Sequence, residues 1–282
     1  LNQFSQKYAL PDLIIQPKII ALRTHGQMPL DSFHDFIALF LSGHTVQLLL
    51  DDRDKPLFMY LLNTMRKINP AITNHVQVVP RLKDFDAVIM HQNDLSSQLL
   101  VDYFGKYPHL FRTNKKSVAI LSGKETPTDI DLLGRDVFYY FGLNHRSVGK
   151  ILVPQNYNFT YLLDNLQGWN AVKDHNKYHN NFEYHYALAL LNQTPHYASK
   201  YLLLLENNAV LSPVGTLNYS YYSDKNDLAN KLIEQRHDLQ CLVGDPKWQD
   251  NCVPFGEVHY ASLETYDNKQ DVMSFLKDLM KD

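Results

Sequence analysis

Between Lys18 and Phe104 the chain alternates short apolar runs with helical patterns, and this alternation constrains the fold more than any other feature. Residues 18–22 read as a buried strand and Thr24-His-Gly-Gln-Met-Pro29 as the loop after it. Residues 30–41 are apolar at helical spacing, with Ser42-Gly43 as a stop. Residues 46–50 form a second strand pattern, and 55–68 a second helix closed by Asn69-Pro70. Short strands follow at 76–80 and 87–90, and 95–104 is helical. Strand–helix units of about thirty residues predict a mostly parallel sheet with crossover helices. That architecture suits nucleotide binding, but architecture alone does not assign a function.

The second half carries strand patterns at 117–121, 148–153, 201–205, 217–222 and 239–243. Helical patterns lie at 128–141, 159–166, 187–191, 226–237 and 271–280, and the polar stretch 174–184 reads as a loop. The run Arg112-Thr-Asn-Lys-Lys116 interrupts the pattern and sets the expected division: a truncated dinucleotide-binding-type domain over 1–114 and a second α/β domain over 115–282 that includes the terminal helix.

A net charge of −3 gives no reason to expect a nucleic-acid or anionic-membrane surface. No apolar run approaches the ~20 residues of a spanning helix. Two cysteines in 282 residues do not make a disulfide framework, and with no secretion signal at the start the expected compartment is a reducing cytoplasm. The chain opens on Leu1 rather than Met, which implies a trimmed or partial chain. The 18 Tyr and 14 Phe exceed what one core needs, so a homo-oligomer or a protein partner is expected, with Tyr219, Tyr221 and Tyr222 as an example of the surplus.

The stretch Phe138-Tyr-Tyr-Phe-Gly-Leu-Asn-His145-Arg-Ser-Val-Gly-Lys-Ile-Leu-Val153 carries a resemblance. It is similar to the LuxC-like branch of the fatty acyl-CoA reductases, in the aldehyde dehydrogenase superfamily, where the corresponding run reads roughly Phe-Gly-Leu-Gly-Cys-Arg-Asn-Val-Ser-Lys. Phe141, Gly142, Leu143, Arg146, Val148 and Lys150 match. Shorter matches run along the chain in the same order, among them Phe33-His-Asp-Phe36, Tyr103-Phe-Gly-Lys-Tyr-Pro-His109, Gly134-Arg-Asp136 and Pro254-Phe-Gly256. The resemblance implies an α/β aldehyde dehydrogenase-like fold. It also implies NADPH-dependent reduction of fatty acyl-CoA to aldehyde through an acyl-cysteine.

The departures fall at the chemistry. His145 stands where the family has its cysteine. The cofactor loop that resembles Gly-Asn-Ile-Pro is here Gly26-Gln27-Met28-Pro29. A family lysine before two serines is replaced by Leu49 with Asp51-Asp52 beyond it, and two carboxylates repel a pyrophosphate. The small-residue turn after the strand at 87–90 becomes His91-Gln92-Asn93, which crowds the approach of a dinucleotide. NADP is therefore expected from the resemblance, with degenerate contacts at Gly26, Gln27, Pro29, His91 and Gln92 that oppose binding.

His145 has two readings, a turn histidine with a hydrogen-bond partner or an imidazole that carries an acyl group or activates water. Glu125 matches an acidic position of the family and reads equally as a general base or as a cap of the helix near Thr128. Cys241 reads as a small buried hydrophobe, and Cys252 is the outside candidate for a replacement thiol. His175, His179 and His185 lack the acid or cysteine that would complete a metal site. Arg112, Lys115 and Lys116 read as an interdomain surface, with coenzyme A phosphates as the alternative. The expected protein is thus a catalytically impaired relative that binds an acyl group, acyl-CoA or a partner. The alternatives are an active acyl-CoA reductase and a hydrolase-like enzyme using His145.

Overall fold

The computed structural model describes residues 7–8, 16–91, 98–260, 262, 265 and 270–280. Two compact units divide the chain, Leu1–Thr113 with Ser262–Asp282, and Asn114–Ala261.

The first unit holds a five-stranded sheet in the order β3-β2-β1-β4-β5, every pairing parallel. Its strands are β1 (Ile19–Arg23), β2 (Thr45–Leu49), β3 (Val76–Val78), β4 (Ala87–His91) and β5 (His109–Arg112). Ile20, Leu22, Val46, Leu48, Ala87 and Ile89 are fully buried, the continuous apolar pattern of strands covered on both faces. Helices α1 (Phe33–Ser42), α2 (Lys55–Ile68), α3 (Ile72–His75) and α4 (Gln98–Phe104) connect them. The strand order reverses between β1 and β4, so the topological switch point lies at their carboxyl ends.

The second unit holds a six-stranded sheet, β11-β6-β7-β10-β9-β8, parallel except for the β8–β9 pair. Its strands are β6 (Lys116–Ile120), β7 (Val148–Pro154), β8 (His196–Ala198), β9 (Leu203–Glu206), β10 (Thr216–Tyr222) and β11 (Leu239–Val243). Helices α5 (Pro127–Phe138), α6 (Phe159–Asn165), α7 (Asn176–Leu191) and α8 (Lys225–Glu234) flank it. A capping box between Thr126 and Asp129, with Pro127 at the first helical position, starts α5.

Three expectations are corrected here. The terminal helix α9 (Val272–Asp278) belongs to the first unit, because Val272, Met273, Leu276 and Leu279 join the core around Phe36 and Leu39. The polar stretch read as a loop is the first part of α7, and the Nδ1 of His175 caps it by accepting from the Tyr178 N–H at 3.2 Å. Tyr219 and Tyr222 are interior residues, at 3% and 5% exposure, and Tyr221 is half-buried, so two of the three tyrosines read as surplus belong to the core. Tyr219 packs on Phe159 at a centroid distance of 4.4 Å. Among the described residues, no helix is long and apolar enough to cross a membrane.

Candidate functional site

In an open parallel sheet, ligands settle at the carboxyl ends of the strands beside the switch point. At that place in the first unit the His25 and His91 rings stack, with centroids 4.0 Å apart and planes 11° from parallel. His25 Nε2 lies 3.2 Å from Gln27 Oε1, and the His25 N–H donates to Ser32 Oγ at 3.3 Å. The loops after β1 and β2 are tied to each other: Asp51 N–H donates to Thr24 Oγ1 at 2.8 Å, and Leu30 N–H to Asp54 Oδ1 at 2.8 Å. Gly26 has φ +58°, and a Cβ there would collide with the Asp51 carboxylate. Arg53 pairs with that carboxylate at 3.0 Å and holds it below the usual range, so the charge persists at neutral pH. Pro29 is exposed on the same loop, and Gln92 lies outside the described residues. Asp35 occupies the first turn of α1, buried in a two-point ion pair with Arg112 at 2.5 and 3.2 Å. Arg112 is therefore an interior residue of the first unit rather than a surface cation. Beside the crest is a cavity of about 350 Å³, walled by Leu49, Met90, Leu100, Tyr103 and Phe104, with Arg23 and Arg81 among its lining.

In the second unit the turn of interest enters the amino end of β7. Tyr140, Phe141 and Gly142 all adopt left-handed backbone (φ 54°, 56° and 68°), a costly arrangement for two aromatic residues that often marks a functional turn. The Lys116 ammonium, at the start of β6, donates to the carbonyls of Gly142 and Asn144 and braces the turn. Asn144 Oδ1 accepts from the Arg146 N–H at 2.6 Å. Arg146 Nε donates to Val258 O at 2.7 Å, so the segment from Gly256 to Tyr260 is drawn against the turn. Asp136, fully buried on α5, fastens the same segment by accepting from Gly256 N–H (2.7 Å) and Val258 N–H (3.3 Å). Burial pushes the Asp136 carboxyl up to about 6.

The result is a cluster of Lys116, His145, Arg146 and His259. Burial lowers the His259 imidazole to about 4; the Asp136 carbonyl opposes that shift, and Arg146, His145 and Lys116 add to it. His259 also packs on Tyr139 and Tyr140, with centroids 6.0 and 5.3 Å away. Sequence reasoning missed His259, although the Pro254-Phe-Gly256 match three residues before it was a usable signal.

Glu125 does not join this cluster. It follows the carboxyl end of β6, whereas His145 precedes the amino end of the parallel β7, so five strand residues, roughly 16 Å, lie between the two levels. Nor does Glu125 cap α5, a place taken by Thr126. Its carboxylate folds back onto its own loop and accepts from Ser122 N–H (2.5 Å), Ser122 Oγ (2.8 Å) and Gly123 N–H (3.1 Å). Cys241 packs half-buried against the core. Burial, with Asp245 and Asp250 nearby, pushes the Cys252 thiol up to about 11, so it is protonated at neutral pH. Among the described residues no group of three or more His, Cys, Asp or Glu side chains could hold a metal ion.

No protein-family model matches the sequence, and no curated protein matches it. Solved structures do. The NAD-dependent aldehyde dehydrogenase from Sinorhizobium meliloti matches with a TM-score of 0.60 at 9% identity, over 80% of this chain and 54% of its own. The Δ-pyrroline-5-carboxylate dehydrogenase from Mycobacterium tuberculosis gives 0.58 at 13%, over 86% and 57%. The Staphylococcus aureus betaine aldehyde dehydrogenase, solved in complex with NAD+, gives 0.58 at 9%, over 80% and 54%. The fold is aldehyde dehydrogenase-like. The chain spans just over half the length of these structures, and identities this low speak to the fold alone.

The aldehyde dehydrogenase fold implies a nicotinamide dinucleotide, and the residues at the switch point do not fit one. The cavity beside the crest falls within the roughly 300–1,000 Å³ of small-molecule sites, enough for one aromatic or apolar moiety. A diphosphate, however, needs open backbone donors at the crest and a first helical turn free of negative charge. Here the His25–His91 stack and the Asp51 carboxylate crowd the first, and the Asp35–Arg112 ion pair, neutral as a whole, takes up the second.

Proposed function

We propose that this chain is a non-reducing relative of the LuxC-like acyl-CoA reductases, a binding protein on an aldehyde dehydrogenase-like scaffold that holds an acyl ligand without transferring hydride to it. The observation that carries this reading is the filled switch point, where the chain's own His25, His91 and Asp51 side chains stand in the way of a dinucleotide. The turn at His145 supports it: an imidazole replaces the thiol, and Glu125, the carboxylate matched to the family's acidic position, is at the opposite end of the sheet. That separation also disfavours a hydrolase in which the two would work together. Calorimetric titration should show neither NADPH nor NADH binding at sub-millimolar concentration. Tight binding of either would remove the basis of the reading.

The tie to the acyl-CoA reductases has its own test. The cations around position 145 lower the pKa of any thiol placed there. His145→Cys should therefore take up an acyl mass from a long-chain acyl-CoA, while aldehyde still fails to form with NADPH supplied. Intact mass and NADPH absorbance read the two steps separately; an unacylated variant with a reactive thiol would sever the link to acyl chemistry.

A further inference from the structure

The guanidinium of Arg146 is a buried charge with few partners. Arg146 is only 6% exposed, and its side chain makes one hydrogen bond, from Nε to the Val258 carbonyl. Its Nη1 is buried with no acceptor, and among the described residues no carboxylate pairs with it. A buried charge left in this state is costly unless an anion completes it. Asp136, the buried carboxylate nearby in the fold, is committed to the N–H groups of Gly256 and Val258. The next residue along from Val258 repeats the anomaly, since neither ring nitrogen of His259 makes a hydrogen bond of normal geometry. Lys116 and His145 add positive character without closing the gap, and Lys116 already spends its donors on the turn carbonyls. At the rim, Tyr139, Tyr140 and Tyr260 are 40%, 50% and 70% exposed.

We propose that the Tyr139–Ser147 turn and the segment from Gly256 to Tyr260 form a receptor for an oxyanion head group, a carboxylate or a phosphate, bound between Arg146 Nη1 and the His259 ring with an apolar tail on the rim tyrosines. Guanidinium and imidazole N–H groups are the donors that charge-assisted recognition of such anions uses. The site thereby receives a released acid or phosphorylated head group at the turn where the resembled family forms a thioester, so the nature of the tail rests on the function proposed above. The head-group chemistry does not. The small cavity under the turn, about 20 Å³ and lined by Lys116, Phe141 and Gly149 among others, has room for one water and not for an acyl chain, which sends the tail outward over Tyr139 and Tyr140.

The test uses the whole chain, in chloride buffer, with octanoate and inorganic phosphate as probes and the His259 ring resonances as readout. An anion bound beside this imidazole stabilises its protonated form, so its titration midpoint should rise by about one pH unit or more. Arg146→Gln should abolish the shift, while Arg146→Lys, which keeps the charge without the planar fork, should weaken binding about tenfold. Arg146→Lys also serves as the decisive variant if the glutamine form does not fold. A shift with either probe that depends on Arg146 supports the receptor. Octanoate binding more tightly than phosphate assigns an acyl carboxylate, and the reverse order a phosphoryl group. No shift with either probe, or one unchanged in both Arg146 variants, overturns the proposal. NADPH titration of the same samples keeps the two ideas apart: tight NADPH binding would end the non-reducing reading and leave an Arg146-dependent receptor standing.

Discussion

Asp35→Ala should destabilise the first unit by about 3–5 kcal/mol, the largest single-site loss expected in the chain. Asp35 and Arg112 are 6% and 7% exposed, and the guanidinium meets the carboxylate with both Nε and Nη2. Removing the acid strips the buried guanidinium of the Asp35 carboxylate, and the carbonyl and side-chain oxygens of Gln270, at 3.3 and 3.5 Å, are neutral acceptors. The pair itself is not strongly stabilising relative to apolar packing, because both ions lose their hydration. Asp35→Leu combined with Arg112→Met should therefore recover most of the loss. Urea unfolding of the single and double variants separates the two effects. A loss below about 1 kcal/mol for Asp35→Ala would mean that water reaches the guanidinium and that the pair behaves as a surface bridge.

The same pair bears on the proposal that the scaffold does without a dinucleotide. It locks the first turn of α1 to the end of β5, where a diphosphate would otherwise neutralise the helix terminus. Asp51 closes the neighbouring loop in a similar way, through Arg53 and the Thr24 hydroxyl. The turn in the second unit is the converse case, where among the described residues no carboxylate pairs with the buried Arg146 guanidinium.

Much of the element order could be read from apolar periodicity. The helix Lys55–Ile68 and the strand Leu239–Val243 have the bounds that their patterns predict, since both are bracketed by clear polar or turn residues. Helix α7 escaped because its buried stripe is narrow: only Tyr178, Phe182 and Ala189 face the core. The short strands His109–Arg112 and His196–Ala198 offer too few residues for a period to register. What no local pattern contains is which strand lies beside which. The separation of Glu125 from His145 follows from the parallel β6–β7 pairing. Likewise, the place of α9 in the first unit and the meeting of Gly134-Arg-Asp136 with Pro254-Phe-Gly256 depend on contacts across more than a hundred residues. His259 became visible as a site residue only when that second meeting was in place.

Replacing His259 with phenylalanine should make the protein more acid-tolerant, and the argument turns on two opposing titrations within one segment. His259 is lowered from 6.5 to about 4, so the unfolded chain binds the extra proton between those values. Its contribution is fully present above pH 6.5 and is lost as pH falls through about 4. Asp136 is raised from 3.8 to about 6, so the native state is the better proton binder there; its contribution is present below pH 3.8 and is lost as pH rises through about 6. Asp136 amounts to about 3 kcal/mol across its window, and His259 to about 2 kcal/mol after allowance for its partial exposure. In the unmodified protein the two largely cancel between pH 4 and 6.5. His259→Phe keeps the contacts with Tyr139 and Tyr140 and removes only the acid-labile half, so its stability relative to the parent should climb by about 2 kcal/mol as pH falls through this window. Asp136→Asn should show the opposite slope, gaining on the parent as pH rises, on top of a constant loss for the acceptor it removes from the Gly256 and Val258 N–H groups. Denaturant unfolding measures both differences, in buffers free of phosphate and carboxylate, since either anion would raise the His259 midpoint and mask the effect. A pH-independent difference between His259→Phe and the parent would show that the imidazole is solvated, and the receptor geometry drawn around it would fall with that result.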